Sequence, residues 1–540
     1  MSLNMFVQPA QERAAMQPGT AGAGDSRDSA SAPGSISSGV TLPDGMPSTV
    51  GGRGLALAAI ASAAALAFRF WYASFRPLLP DEAYYWLWTR HLSAGYFDHP
   101  PGVAYLIWAS TRLFGQSEFG IRALGIGLIA CTVALCLGMA RDVGVDRRGL
   151  LLLLAIWLTS PLLAGLATVM TPDTPAAFFA TATLAAAVRI ATSLERGKRI
   201  RWEWVLLGAL GGAAMTSKYT AALTGVAVAL AFLTHARARR LLLTPGPYVT
   251  LAVAGLVFLP VVLWNARHGW ASFQFQASHG LDGLEGAEAR ARHPAAAFLL
   301  FFAAQAGMWT PVLFVMGVVA TAASWRHYRS VPLPGRVLTW AATVPLVVFA
   351  CAAIRAHGEE NWPNLAYFPM SVLLVQYVAR AWDRRWRLAV VGCAVALAMF
   401  GVVHFPEVLR AAHVHTPVSL RNLFGWRELG AEIGHAAAAA RPDLVLADRM
   451  QDAGELSFYM PGRPEVWFYR PPGRRPSAFD FFEGVPDPRR ARRVLFVGNH
   501  AEAFCADHGF APVSSGLWRY HHGNGTPDRT RSYWVLERGR

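Results

Sequence analysis

The chain has 540 residues, of which 54% are hydrophobic and only 15% charged, against about 25% charged in ordinary soluble domains. That balance excludes a disordered chain and a disulfide-stapled small domain, and it argues against a purely soluble enzyme. The net charge of +15 does not point to nucleic acid, because residues 406–540 hold 18 Arg and 15 acidic residues, and the remaining excess sits around apolar segments, where basic loops orient membrane helices.

Residues 1–53, rich in Gly, Ser, Ala and Pro, read as a disordered cytoplasmic tail. From Gly54 onward, eleven apolar stretches predict membrane helices: 54–75, 118–140, 149–169, 174–193, 203–217, 219–235, 246–265, 295–323, 336–354, 363–380 and 387–405. The pair 203–217 and 219–235 is short enough to be a kinked hairpin or two tilted spans. Alternate loops carry 18 cations against five acids, among them Arg147, Lys198, Arg239, Arg329 and Arg384. These loops are assigned to the cytoplasm. An odd number of spans then puts the C-terminus outside.

The outer side is chemically richer. It carries a long first loop, 76–117, and a tail, 406–540, long enough for one small domain. In that tail Pro442–Asp448 and Arg493–Gly498 read as buried strands, and 450–460 and 499–508 as helices. The fold class expected is therefore mainly α: a polytopic transmembrane domain over 54–405 with a small α/β periplasmic domain over 406–540. No Gly-rich phosphate loop follows either strand, so no nucleotide site is expected. Five cysteines without a CxxC spacing support neither a disulfide framework nor a cysteine zinc site.

The first outer loop opens Pro80-Asp81-Glu82-Ala83-Tyr84-Tyr85-Trp86. With Trp71 and Trp88, its aromatics predict a belt on an interfacial helix. A belt does not explain two adjacent carboxylates at an apolar boundary, where unpaired acids are costly and are functional candidates by default. Further on, Tyr96-Phe97-Asp98-His99-Pro100-Pro101-Gly102 fixes a turn before a short apolar stretch, 103–114, read as a second interfacial helix. Asp98 and His99 either cap that helix, shape the site or help to hold a divalent metal. No complete ligand set is visible for such a metal.

Other outer turns add candidates. Asp173 lies in Thr171-Pro172-Asp173-Thr174-Pro175, where N-capping is the plain alternative. Lys218, beside Tyr219, breaks both the positive-inside trend and the Arg bias, since Lys198 is the only other lysine against 47 Arg. Snorkelling to headgroups is its plain reading and phosphate binding the sharper one. The turn Arg355-Ala356-His357-Gly358-Glu359-Glu360-Asn361-Trp362 packs ionisable groups between two apolar spans. Together Tyr84, Tyr85, Asp98, His99, Lys218, Tyr219, Arg355, His357, Glu360, Asn361 and Trp362 are the expected substrate contacts, with Asp81, Glu82 and Asp173 as catalytic acids.

These strings, above all 80–102, resemble the GT-C glycosyltransferases of family 39, which include protein O-mannosyltransferases and the aminoarabinose and galacturonic acid transferases of lipid A and lipopolysaccharide. The resemblance covers roughly residues 55–405. It implies a donor sugar carried on a polyprenyl phosphate, a catalytic acid at Asp81 with Glu82 beside it, a second acid at Asp173 and a phosphate contact at Lys218. It also implies a bacterial inner membrane, a periplasmic soluble domain and an envelope glycolipid acceptor. Attack on the anomeric carbon by an acceptor hydroxyl that a carboxylate deprotonates, without a covalent intermediate, inverts that carbon. A protein acceptor is the alternative within the class. A transporter or flippase is the alternative outside it, though such proteins place ionisable groups at mid-membrane and show internal repeats.

Overall fold

The computed structural model describes residues 52–281, 294–355, 359–405, 424–521 and 529–539. The tail expected at 1–53, save its last two residues, and the domain boundary expected at 406 lie outside them. The chain opens with α1 (Gly52–Phe75) and two short helices, α2 (Pro80–Trp88) and α3 (Gly102–Phe114). A bundle follows: α4 (Glu118–Asp142), α5 (Arg147–Thr159), α6 (Pro161–Thr168), α7 (Asp173–Glu195), α8 (Glu203–Ser217), α9 (Ala222–Leu233), α10 (Ala236–Arg239), α11 (Gly246–Arg267), α12 (Ala271–Leu281), α13 (Pro294–Trp309), α14 (Pro311–Arg326), α15 (Leu333–Arg355), α16 (Tyr367–Ala379) and α17 (Trp382–His404).

All eleven expected apolar stretches are helical, but they are not eleven full spans. Among the described residues six helices are long and apolar enough to cross a membrane, or nine if each of three bent pairs is one span. Two stretches expected to run straight are broken. Residues 149–169 bend by 60° between α5 and α6, and 295–323 by 108° between α13 and α14. Both breaks share one cause. Ser160 and Thr310 each accept a hydrogen bond from the backbone three residues on, Leu163 and Leu313. Each is followed by a proline at the first helical position, which starts a new helix and cannot continue the old one.

Helix contacts follow small residues. Gly208 and Gly212, four apart on α8, let α11 approach so closely that a Cβ on Gly208 would lie 2.5 Å from the Thr250 carbonyl oxygen, and one on Gly212 2.8 Å from that of Ala254. The basic loops gather at one end of the bundle: Gln376 donates to the Val143 carbonyl, Glu195 accepts from the Leu333 amide and Arg336 donates to the Thr234 carbonyl.

The C-terminal part is α/β. It comprises α18 (Trp426–Ala440), β1 (Leu444–Ala447), α19 (Met450–Tyr459), β2 (Trp467–Phe468), β3 (Arg493–Val497), α20 (Ala501–His508), β4 (Phe510–Tyr520) and β5 (Arg529–Arg538). The sheet order is β2-β1-β3-β5-β4, with β2, β1 and β3 parallel and β5 antiparallel to both neighbours. The expected strands and helices are all present; β2, β4 and β5 were not read from the sequence.

The first loop does not lie as an aromatic belt. Tyr84, Tyr85, Trp86 and Trp88 are buried, whereas Trp71 is 54% exposed. The α2 aromatics join one hydrophobic cluster with the α/β part. Trp86 packs edge-on to Phe458, Tyr84 stacks on Phe479, and Gly454 leaves α19 so close that a Cβ there would lie 2.8 Å from the Tyr84 nitrogen. Burial of aromatic surface against a second layer outweighs exposure at an interface.

Candidate active site

Pro80 starts α2, so Asp81 and Glu82 fall in its first turn, where the helix dipole favours negative charge. The two acids then part company. Glu82 is fully buried and saturated. It accepts from the Leu79 amide at 2.9 Å and the Met170 amide at 2.8 Å, and from Arg122 Nε at 2.8 Å. Arg122 also donates to the carbonyls of Arg76 and Pro77, both at 2.9 Å. Glu82, expected as a catalytic acid, has both oxygens engaged within the protein and ties α1, α2, α4 and the turn at 170 together.

Asp81 is open to solvent and makes no hydrogen bond or ion pair among the described residues. Protein nevertheless crowds it on most sides. Loss of hydration, then the negative charges of Asp98, Glu359 and Glu82, push its carboxyl up to about 6, with Arg475 opposing.

Asp98 is buried and shared between two parts of the molecule. It accepts from the Tyr84 hydroxyl at 2.6 Å and from Arg475, in the loop after β2, at 2.8 Å. The Tyr84 hydroxyl in turn accepts from the Ala478 amide at 2.8 Å. Tyr84, expected as a substrate contact, is therefore a strut. Tyr85 is the residue that relates the acids. Burial first, then Asp81, Asp98 and Asp173, hold its phenol well above its ordinary pKa. Three carboxylates from three segments thus lie within electrostatic reach of one side chain. His99 is half-buried, its ring 6.2 Å from that of Tyr85.

Asp173, Lys218 and Asn361, singled out separately in the sequence, meet. Asp173 accepts from Lys218 Nζ at 2.7 Å, Asn361 Nδ2 at 2.9 Å and Asn364 Nδ2 at 2.7 Å. Lys218 reaches it because it is an extended residue closing α8. Gly102 brings the first loop to the same place, since a Cβ on it would lie 2.8 Å from the Ser217 Cα. Tyr219 turns away and bonds Ser272 at 2.9 Å. Glu360 is exposed, its carbonyl accepting from Gln305, and Trp362 packs on Phe349. His357 and the Arg355 side chain lie outside the described residues. Among the described residues no three His, Cys, Asp or Glu side chains gather as a metal site.

Residues 98–264 match the family model described as dolichyl-phosphate-mannose-protein mannosyltransferase. Lipid A galacturonosyltransferase RgtD of Rhizobium johnstonii is 25% identical over 78% of this chain and 86% of its own length. An undecaprenyl phosphate-alpha-4-amino-4-deoxy-L-arabinose arabinosyl transferase of Pseudomonas fluorescens is 30% identical over 35% of this chain and 36% of its own. ArnT from Cupriavidus metallidurans, in the apo state, superposes with a TM-score of 0.60 at 16% identity, over 89% of this chain and 98% of its own; the same protein bound to undecaprenyl phosphate gives 0.58 at 15%, over 90% and 98%. In sequence and in fold the chain is similar to GT-C glycosyltransferases of the aminoarabinose-transferase and O-mannosyltransferase type.

The site has partners that sequence reading missed. Arg122 was legible: a cation inside the apolar run 118–140 wants a buried acid. Asn364 continues a polar turn already singled out, at three residues from Asn361. Arg475 carried no signal, being one of 18 arginines in the tail. Its role depends wholly on where the tail docks.

Proposed function

We propose that this GT-C glycosyltransferase transfers a sugar from a polyprenyl-phosphate carrier to an envelope glycolipid of the lipid A or lipopolysaccharide-core class, with Asp81 as general base. Asp81 carries the reading: it is the solvent-open carboxylate of the group, without a partner among the described residues, and its raised pKa suits a base near neutral pH. The ionised carboxylate takes the proton of the acceptor hydroxyl. The acceptor oxygen bonds to the anomeric carbon as the bond from that carbon to the phosphate oxygen breaks, and the electron pair leaves with the polyprenyl phosphate. One displacement inverts the carbon.

Lys218 is the proposed partner of the leaving phosphate. Its ammonium has three donors, and Asp173 takes one. Asp173 then orients the cation and does not touch the acceptor. Asp98 and Tyr84 hold the soluble part against the first loop. The relatives' names support the substrate classes: one is a lipid A galacturonosyltransferase, the other uses an undecaprenyl-phosphate-linked aminoarabinose. The asymmetry of loop charge supports a cytoplasmic N-terminus and a periplasmic C-terminal domain in a bacterial inner membrane.

Mass spectrometry of extracted envelope glycolipids tests the reading. A deletion strain is compared with the same strain restored by wild type or by Asp81→Asn. Loss of one sugar in the deletion and in Asp81→Asn, with recovery by wild type, is the expected result, and the lost mass names the sugar. Glycolipids unchanged throughout overturn the glycolipid acceptor and leave a protein acceptor to be sought.

A further inference from the structure

Two cavities flank the start of α19. The first, of about 320 Å³, lies between Asp81 on the first loop and Arg449, Gln451, Arg529 and Arg531 on the α/β part. The second, of about 450 Å³, is lined by Arg449, Gln451, Arg474, Arg475, Asp448 and His500. Arg449 and Gln451 line both, so these two side chains border the two spaces in common.

Most of the charge here is already paired. Asp448 accepts from the amides of Asn499 and His500, at 2.7 and 3.1 Å, and contacts His500 Nδ1 at 2.6 Å. Asp452 holds Arg531 through two bonds. Arg475 is bound to Asp98, and Arg529 stacks on Trp426 with its guanidinium 3.8 Å from the ring centre. That leaves Arg449 and Arg474. Both are exposed, and neither side chain makes a hydrogen bond or ion pair among the described residues. The remaining uncommitted carboxylate on these walls is Asp81.

The fold gives the second cavity a further reason to bind. From β1 the chain crosses to β2 on one side, while β3 lies on the other. Asp448 follows β1, and Asn499 and His500 follow β3. The cavity therefore sits at the carboxyl ends of parallel strands where the order reverses, the place where open α/β sheets take ligands. No Gly-rich loop supplies backbone amides there, so recognition falls to guanidinium forks, which match the oxygens of phosphate.

We propose that the two neighbouring cavities together form the acceptor's anion subsite, in which Arg449 and Arg474 take a phosphate monoester on the acceptor saccharide and thereby present its reacting group to Asp81. This rests on the glycosyltransferase reading. It makes the α/β part the element that selects the acceptor, with the donor phosphate held separately at Lys218.

The full-length protein in detergent micelles is titrated with diphosphoryl lipid A, with its dephosphorylated form and with undecaprenyl phosphate. Wild type should bind the diphosphoryl form about tenfold or more tightly than the dephosphorylated one. Arg449→Gln/Arg474→Gln should lose that preference and keep its affinity for undecaprenyl phosphate. Equal binding of the two lipid A forms by wild type overturns the subsite without recourse to any variant. So does an unchanged preference in the double variant, or a loss confined to undecaprenyl phosphate, which would assign the arginines to the donor. Sugar transfer is assayed on the same samples. Phosphate-dependent binding without transfer removes the transferase reading and keeps the subsite; transfer without phosphate-dependent binding does the reverse.

Discussion

Asp81 and Glu82 are neighbours in sequence with opposite fates, and access to solvent separates them. A general base typically contributes about 10²–10⁴-fold, so Asp81→Asn should lower the rate of sugar transfer by at least about 100-fold. In wild type the rate should rise with pH and level off above about 6, because the carboxyl must be ionised to accept a proton and its pKa is raised to about 6. A calorimetric scan gives a second sign to check. The folded pKa lies above the ordinary value of 3.8, so the folded state holds the proton more tightly than the unfolded one. Stability contributed by this group is fully present below 3.8 and is lost as pH rises through about 6. Asp81→Asn should therefore melt higher than wild type at pH 7 and close to it at pH 4, an activity gained at the expense of stability. The candidate acids were legible because carboxylates at an apolar boundary stand out. Which of the pair is free was not, because that depends on Arg122, forty residues away.

At the level of elements, buried acids should respond to substitution according to their partners. Removing one partner of a buried ion pair costs about 3–5 kcal/mol, so Glu82→Ala should lower the melting temperature of the purified protein sharply and its activity with it. Glu455 on α19 is buried with no partner for either carboxyl oxygen among the described residues, and burial drives its carboxyl well above the ordinary range. That direction favours the neutral form, and Glu455→Gln should leave the melting temperature nearly unchanged. Gly102→Ala sets a Cβ against the backbone of Ser217, 2.8 Å from its Cα. Overpacking of this kind costs about 1–3 kcal/mol, and here the strain falls between α3 and the Lys218 turn. Activity should fall more than thermal stability, and a lowered affinity for undecaprenyl phosphate is the measurement that locates the damage. The apolar stretches were readable as helices throughout. Their bends were not read, although Ser160-Pro161 and Thr310-Pro311 each spell a cap followed by a first-turn proline. Uniform hydrophobicity on both sides masked that punctuation. Strand β4 escaped for a different reason: most of its residues are exposed and Pro512 interrupts its register with β5, so it shows no alternation.

For the whole molecule, the separation of acidic turns from basic loops was visible in sequence as alternation of charge, and the bundle gathers the basic loops at one end. The union of first loop and C-terminal part was invisible, because it joins residues 394 apart, as between Ala478 and Tyr84. A chain ended at Phe405 should lose more than acceptor recognition. It uncovers Tyr84 and Trp86, and limited proteolysis should then cut within residues 80–100, which full-length protein should protect. The same long separation governs synthesis. At about 5–20 residues per second, the ribosome finishes the partner of the first loop on the order of 20–80 s after the loop itself has emerged. Throughout that interval the nascent chain carries a bare aromatic ledge beside the bilayer with nothing to cover it. A cell making this enzyme must therefore shield the ledge, by lipid or by a chaperone. A ribosome stalled late in the message leaves behind a nearly complete protein in which Glu82 and Asp173 can already hold their partners but Asp98 still lacks Arg475.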